Sequence, residues 1–206
     1  MDERSLAVTR RSLHGVAEMV LAGPQYRHSS DIRLRVVPGG FGTVVMPDLR
    51  VDGVTLVTPT ASVPLAGSLA ELADRVGVEA SRLDDVYSGG PAFRPDDRIE
   101  IDPQAARILA DAFAQGDAAL RVLAPDEEPV LWPEHFDVGI SVGEVNYGVS
   151  PGDDTIPQPY AYVGPWTPRT GDFWNQPFGA GRPMSELPGA AAVLAFFRAG
   201  AEAANA

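Results

Sequence analysis

The sequence contains no cysteine and no lysine. The first absence excludes disulfides, thiolate metal sites and cysteine nucleophiles, and the second excludes Schiff-base and lysine-ammonium chemistry. Histidine is scarce too, with His14, His28 and His135 only, and no HxH or HExxH pattern offers a metal site. We therefore expect neither a metal nor another cofactor, although a site of oxygen ligands among the loop aspartates stays open.

Basic charge is also in short supply. The 16 bases, all of them arginine, face 28 acids, for a net charge of -12. This charge repels the phosphate backbone of nucleic acids, and the scattered arginines form no basic stripe for an anionic membrane. No apolar run approaches the roughly 20 residues that a membrane-spanning helix needs. We expect no nucleic-acid or membrane partner and, since the first residues carry no hydrophobic signal core, a cytoplasmic location.

The first half shows a helix followed by short strands. Apolar residues at helical spacing predict a helix over residues 3–22, which Gly23-Pro24 would stop. Alternating residues over 32–36 predict a half-buried strand. Asp52-Gly53 between two apolar stretches predicts a hairpin, and the Ser-x-x-Glu pattern at Ser68 is a capping box that opens a short helix ending near Val76.

The second half repeats this order. Asp102 as N-cap and Pro103 at the first helical position predict a helix to about Leu123. Three strands follow, over about 136–142, 145–149 and 159–163, then a Pro/Gly-rich stretch over 164–187 without periodicity, and a final helix from about Pro188. We predict an α+β fold of antiparallel sheet packed by helices. It forms a single domain over 1–206, in which lobes 1–100 and 101–206 are two pseudo-repeated halves of one helix and about three strands.

A histidine and an aspartate in the stretch LWPEHFDVGI are the candidate catalytic pair. If the strand begins early enough, His135 and Asp137 share one strand face. A carboxylate beside a histidine can orient the imidazole and raise its basicity, as a general base requires. The alternative is a histidine at a strand entrance that packs on Trp132. No GxSxG elbow, phosphate-binding loop or dinucleotide fingerprint offers another mechanism.

Aromatic residues concentrate in the same region. The three tryptophans and several tyrosines fall between residues 132 and 174, together with a few amide and carboxylate side chains. Such a mixture is typical of small-molecule pockets. The predicted ligand-binding residues are Trp132, Asn146, Tyr147, Asp153, Tyr160, Tyr162, Trp166 and Trp174. Tyr160 and Tyr162 would share one strand face and Tyr147 would join them from the next strand; the alternative is that these rings only anchor the proline-rich stretch.

The motifs LWPEHFD, NYGVSPGDD and PYAYVGPW carry a resemblance. They resemble an uncharacterised actinobacterial protein family, a source that the Ala-, Gly-, Pro- and Arg-rich composition also favours. The region from about 100 to 175 is also similar to a broader bacterial domain of unknown function. That domain has a Trp-x-x-Phe-Asp strand and a Tyr-x-Tyr strand; the corresponding residues here are Trp132, Phe136, Asp137, Tyr160 and Tyr162, with one residue more between Trp132 and Phe136 than in that pattern. The resemblance implies one domain and no particular reaction.

Two functions follow from these patterns. The first is a small-molecule-binding protein or small enzyme with an aromatic-lined pocket in the C-terminal half and the pair His135 and Asp137 as general base. The alternative is a non-catalytic interaction protein that uses the aromatic stretch 164–187 to bind a partner or a second copy of the chain as a homodimer. An exposed flat apolar patch would favour the second.

Overall fold

The computed structural model describes residues 2–88 and 90–205. These form two compact units. The N-terminal unit comprises the described residues up to Asp111 together with Leu131–Phe136, and the C-terminal unit comprises Ala112–Val130 together with the described residues from Asp137 onward. The boundary falls inside one long helix, not at the predicted limit between residues 100 and 101. Helices and antiparallel strands occur in both units, which confirms the α+β class.

The N-terminal unit contains helices and a meander of strands. Its helical elements are α1 (Glu3–Gly15), a π-helical segment (Val16–Ala22), α2 (Gly23–Ser29), α3 (Leu69–Arg75) and the first part of α4 (Pro103–Leu123). Its strands are β1 (Leu34–Val37), β2 (Gly40–Thr43), β3 (Arg50–Asp52), β4 (Thr55–Val57), β5 (Ser62–Pro64) and β6 (Val130–Trp132). The order is β6-β1-β2-β3-β4-β5, and β6 joins β1 through the antiparallel pair Leu34 and Leu131.

The first helix does not stop where the sequence predicts. Gly23-Pro24 lies within continuous helical structure, and the left-handed Ser30 (φ 59°) ends it instead. Gly23 serves a close contact: a Cβ there would lie 2.6 Å from Ser81 Oγ. Pro24 lies where the π-helical segment changes to α2. The π-helical segment packs on α3, β1 and β2 and is buried on every side.

Local sequence signals explain the other elements of this unit. The hairpin β3–β4 forms around Asp52-Gly53 as predicted, with Gly53 at φ 58°. Ser68 and Glu71 form both hydrogen bonds of the capping box at the start of α3. Asp102 Oδ1 accepts a hydrogen bond from Ala105 N at 2.8 Å, which caps α4 at the predicted residue. Short-range capping chemistry thus places these boundaries correctly.

The C-terminal unit is a four-stranded meander packed by two helices. Its elements are the rest of α4, β7 (Asp137–Val142), β8 (Val145–Ser150), β9 (Tyr160–Pro165), β10 (Ala180–Pro183), a 3-10 turn (Met184–Glu186) and α5 (Ala190–Ala204). The strand order is β10-β9-β8-β7. The stretch 164–187, predicted to be without regular structure, supplies β10 and the 3-10 turn; the four residues of β10 are too few to show a period in the sequence. The N-terminal unit has six strands rather than about three, so the two units differ in strand number.

The helices of the C-terminal unit cover one face of its sheet. A Cβ on Gly116 of α4 would lie 2.6 Å from Val149, and a Cβ on Gly200 of α5 would lie 2.7 Å from Val163. Glycine at these two positions lets the helices approach the strands closely. The opposite face is the one that carries polar and aromatic side chains. No helix in the described part of the chain is long and apolar enough to cross a membrane.

Candidate functional site

The structure places the predicted catalytic histidine in a turn that precedes the strand. β7 begins at Asp137, and residues 133–136 form a turn in which Phe136 has φ 53° and donates its N–H to Trp132 O at 2.8 Å. His135 lies in this turn, its side chain 69% exposed and its Nε2 3.9 Å from Glu134 Oε1. The condition for a shared strand face is not met, because β7 begins after His135 and the alternation of a strand does not extend through a turn with a left-handed residue.

Asp137 instead contributes to a row of tyrosine–carboxylate pairs. The Tyr162 hydroxyl donates to Asp137 Oδ2, and the Tyr160 hydroxyl donates to Asp153 Oδ2 at 2.6 Å. The two tyrosine rings, two residues apart on β9, meet edge to face with centroids 6.5 Å apart. Burial, first, and the neighbouring carboxylates, second, raise the pKa of both phenols above the ordinary value. Both hydroxyls therefore stay protonated and donate to the carboxylates at neutral pH.

Glycines on β7 and β8 make room for Tyr162. Gly139 pairs with Gly148, and Gly148 pairs with Tyr162 across the next ladder. A Cβ on Gly148 would lie 2.5 Å from both Tyr162 Cζ and Val138 O, and one on Gly139 would lie 3.0 Å from the Tyr162 hydroxyl. The tyrosine ring thus occupies the space that two missing side chains leave on this face of the sheet.

A second group of polar side chains lies on the same face of the sheet, two residues further along each strand. Trp166 Nε1 donates to Asn146 Oδ1 at 3.1 Å, and Ser141 Oγ donates to the same oxygen at 2.7 Å. Both donors converge on the carbonyl oxygen, so the amide nitrogen of Asn146 keeps its two N–H groups for another acceptor. The Trp166 indole is 63% exposed, and its backbone N–H donates to Glu144 O at 2.9 Å. Trp166 is therefore an exposed ring held in a defined position.

We name this surface the tyrosine–aspartate face. Its members share the side of the C-terminal sheet opposite the helices, and they are Asp137, Ser141, Asn146, Asp153, Tyr160, Tyr162, Trp166 and Phe178. Sequence reasoning did not identify Ser141 and Phe178. Ser141 follows the period-two alternation of β7 and could have been found; Phe178 is 41% exposed and stacks on Tyr160 at 6.0 Å from a turn with no periodicity.

Three predicted ligand-binding residues lie elsewhere. Tyr147 pairs with Val163 on the helix-facing side, is 4% exposed and packs edge to face on Phe197 at 6.0 Å; it does not join Tyr160 and Tyr162, because the register places it one residue out of phase with them. Trp174 packs on Phe173, whose ring stacks on Phe196 of α5. Trp132 belongs to β6 of the N-terminal unit and is 39% exposed.

The N-terminal unit holds a buried histidine. His14 is 8% exposed, donates from Nε2 to Pro133 O at 2.7 Å, and packs against the rings of Phe93 and Phe136. Burial lowers its pKa from 6.5 to about 4, although the backbone carbonyl opposes this shift. His14 is therefore neutral at pH 7, and its ring serves as part of the core with one satisfied donor.

A buried acid lies in the π-helical segment of the same unit. Glu18 is 3% exposed, and its carboxylate forms a side-chain hydrogen bond with the buried Tyr87 hydroxyl, which partly opposes the effect of burial on the carboxyl pKa. Burial raises the pKa of Glu18 from 4.5 to about 6. The sequence signal was a single acid inside the apolar run VAEMVLA, which a regular helix would have turned toward solvent.

Replacing Glu18 by glutamine is expected to stabilise the protein in a pH-dependent way. The folded protein holds this proton more tightly than the unfolded chain, so the ionised carboxylate lowers stability above pH 6 and the penalty disappears below pH 4.5. Glu18→Gln should raise the free energy of unfolding by about 2 kcal/mol at pH 8 and leave it unchanged at pH 4. Urea unfolding at the two pH values measures this, with Glu79→Gln on the exposed surface as the control; equal effects at both pH values would contradict it.

Metal ions and known proteins offer no further assignment. Among the described residues, no group of three or more His, Asp or Glu side chains is arranged to hold a metal ion. No family model, no curated protein and no solved structure matches this chain. Any function of this protein must therefore be inferred from its own side chains.

Proposed function

We propose that the C-terminal unit binds a small, uncharged, polyhydroxylated molecule on the tyrosine–aspartate face. The observation that carries this proposal is the exposed indole of Trp166, held beside Asn146 by a hydrogen bond at 3.1 Å, on the same face as two tyrosine–carboxylate pairs. An aromatic platform next to a few oriented polar groups is the usual composition of a ligand site. The ring would stack on the C–H face of a cyclic polyol, and the polar groups would bind its hydroxyls.

The polar groups of this face favour hydroxyl ligands. The carboxylates of Asp137 and Asp153 accept hydrogen bonds from their tyrosines, and Asp153 Oδ1 also accepts from the backbone of the Asp153 turn, so both acids are held in fixed positions on this face. The amide of Asn146 supplies the complementary donors. A ligand hydroxyl can both donate and accept, so it matches this mixture, whereas an anion would be repelled by the two aspartates and by a protein of net charge -12.

The dimensions of the face suit one or two sugar-sized rings. Three successive rows cross the strands, at Asn146, at Gly148 with Tyr162, and at Ser150 with Tyr160. Rows on one face of a sheet lie two residues apart, which is about 7 Å, so the three rows span about 14 Å. Phe178 borders the far row through its stacking on Tyr160. The ligand would therefore lie along the strands between Trp166 and Phe178.

Tryptophan fluorescence tests this proposal with a matched pair of variants. Titration with methyl glucoside, maltose and inositol is expected to change the emission of the wild type with a Kd of about 1 mM for at least one of them. Trp166→Ala should weaken that binding at least tenfold, as followed by calorimetry. Trp132→Ala removes a tryptophan of the N-terminal unit and should leave the affinity unchanged.

Two results would contradict the proposal. Equal affinity in Trp166→Ala and Trp132→Ala would place the ligand elsewhere, and no response to any polyol at about 10 mM would remove this ligand class. A mass that increases with protein concentration in sedimentation, and that Trp166→Ala returns to the monomer, would instead assign the exposed rings of Trp166 and Phe178 to association between two copies of the chain. Self-association through the stretch 164–187 is the competing function for the same residues.

A further inference from the structure

A cavity of the N-terminal unit lies between α1, the start of α3 and the segment 93–100. Its volume is about 310 Å³, which is within the range of small-molecule sites. Its walls combine apolar side chains with charges of both signs. The apolar ones are Val8, Leu69, Phe93 and Ile99, and the charged ones are Arg4, Arg11, Asp97, Arg98 and Glu100. The cavity therefore suits a molecule that has an apolar part and charged groups.

Hydrogen bonds hold the walls of this cavity in place. Glu100 N donates to Ser12 Oγ at 3.0 Å, which fixes the end of the segment 93–100 on α1. Leu69 N donates to Asp97 O at 3.1 Å, which fixes the start of α3 on the same segment. A cavity with fixed walls needs little ordering when a ligand enters, and this favours binding.

The floor of the cavity is apolar. Leu69 and Phe93 are each 2% exposed and Ile99 is 8% exposed, whereas Val8 on α1 is 36% exposed. Gly15 allows this close packing against α1, since a Cβ there would lie 3.1 Å from both Leu69 and Phe93. An apolar ligand group in the cavity would contact these side chains and would itself be removed from water.

Two of the three arginines that border the cavity already have partners. Arg11 pairs with Asp97 at 3.5 Å, and its guanidinium lies over the Phe93 ring at 5.2 Å from the centroid. Arg98 pairs with Glu71 at 3.4 Å. These contacts neutralise most of the charge and leave two groups, Arg4 and Glu100, whose side chains carry the rest.

Arg4 and Glu100 carry opposite charges beside the same cavity without pairing. Both side chains are exposed, and neither forms an ion pair or a side-chain hydrogen bond with another residue that the structure describes. Both also border a neighbouring cavity of about 360 Å³, so they lie where the two cavities meet. A guanidinium and a carboxylate in this arrangement match a ligand that carries both a carboxylate and an ammonium group.

We propose that this cavity binds a free α-amino acid with an apolar side chain. The carboxylate of the ligand would accept hydrogen bonds from the Arg4 guanidinium, its ammonium group would donate to the Glu100 carboxylate, and its side chain would lie on the apolar floor. A simple carboxylate or a simple amine would leave one of the two charges without a partner. The site belongs to the N-terminal unit and is independent of the polyol proposal.

Calorimetric titration with L-phenylalanine and two matched compounds tests this proposal. Phenylalaninol keeps the ring and the ammonium group but lacks the carboxylate, and 3-phenylpropionate keeps the ring and the carboxylate but lacks the ammonium group. The wild type should bind L-phenylalanine with a Kd of about 1 mM and at least fivefold more tightly than either matched compound. L-alanine, which has both charged groups and only a methyl side chain, should bind at least fivefold more weakly.

Variants assign each charged group of the ligand to its partner. Arg4→Gln and Glu100→Gln should each weaken L-phenylalanine at least fivefold. Arg4→Gln should leave the affinity for phenylalaninol unchanged, and Glu100→Gln should leave that for 3-phenylpropionate unchanged. Arg50→Gln and Glu79→Gln make the same changes of net charge at exposed positions of the same unit and should bind all three compounds as the wild type does.

Three results would overturn the proposal. Equal affinity for L-phenylalanine and either matched compound would remove the requirement for two opposite charges. Unchanged binding of L-phenylalanine in both Arg4→Gln and Glu100→Gln would place the ligand outside this cavity. No heat of binding with L-phenylalanine at about 10 mM would remove the ligand class. Trp166→Ala, the variant of the C-terminal unit, should bind L-phenylalanine as the wild type does, which keeps this test separate from that of the polyol site.

Discussion

Lowering the pH from 7 to 4 is expected to reduce the free energy of unfolding by about 3 kcal/mol through His14 alone. The folded protein lowers the pKa of His14 from 6.5 to about 4 because the ring is buried. Between these values the unfolded chain binds the proton and the folded protein does not, so stability is full above pH 6.5 and falls as the pH approaches 4. The site of this loss is the contact between His14, Phe93 and Phe136.

The control is His14→Gln, whose amide can still donate to Pro133 O but does not titrate. Glu18 has the opposite effect on the free energy of unfolding. As the pH falls from 6 to 4.5 the folded protein binds this proton before the unfolded chain does, which raises stability. Both proteins carry Glu18, so the difference between their urea-unfolding free energies isolates the histidine. That difference should change by about 3 kcal/mol from pH 7 to pH 4. Parallel pH profiles would show that His14 is not buried as a neutral ring.

Replacing Gly148 by alanine is expected to destabilise the C-terminal unit by about 3 kcal/mol. The new methyl group would lie 2.5 Å from Tyr162 Cζ and 2.5 Å from Val138 O. Rotation of the tyrosine relieves only the first contact, because the second is with backbone of the neighbouring strand. The measurement is thermal unfolding, in which the midpoint should fall by roughly 6–12 °C.

Gly164→Ala is the matched control. Gly164 lies on the same face, one row from Gly148, and a Cβ there would meet Phe178 O at 3.4 Å and Asn146 Cβ at 3.9 Å, which are ordinary contacts. This variant should unfold within about 0.5 kcal/mol of the wild type. If both alanines are tolerated, Tyr162 does not rest on the glycines of β7 and β8, and the tyrosine–aspartate face loses the support on which the proposed binding depends.

The candidate site was predictable in part. The alternation of Tyr160 and Tyr162 along β9 was visible in the sequence, and their shared face follows from strand geometry alone. The partner of Asp137 was not predictable, since the tyrosine that binds it lies 25 residues away. His135 was assigned to a strand because the apolar alternation continues through Phe136; the positive φ of that residue places it in a turn, and a phenylalanine gives no warning of such a backbone.

The N-terminal unit shows the same limit in a helix. The apolar spacing up to Leu21 predicted a helix over residues 3–22, and helical structure does cover these residues. The π-helical segment changes the residue rotation, and α3, β1 and β2 pack around it, so that Glu18 is buried. The environment of His14 depends likewise on a distant partner, the carbonyl of Pro133, which lies 119 residues away in the chain.

The sequence by itself excluded cysteine and lysine chemistry and showed that the protein is acidic. It also placed the ends of most of the helices and strands that it predicted. The hairpin at Gly53, the capping box at Ser68 and the cap at Asp102 depend on residues within four positions of one another, and such interactions can be read locally. The tertiary structure alone decided which side chains meet: the register that separates Tyr147 from Tyr162 and the burial of Glu18. Register and burial depend on packing between segments far apart in the chain, and no local pattern contains that information.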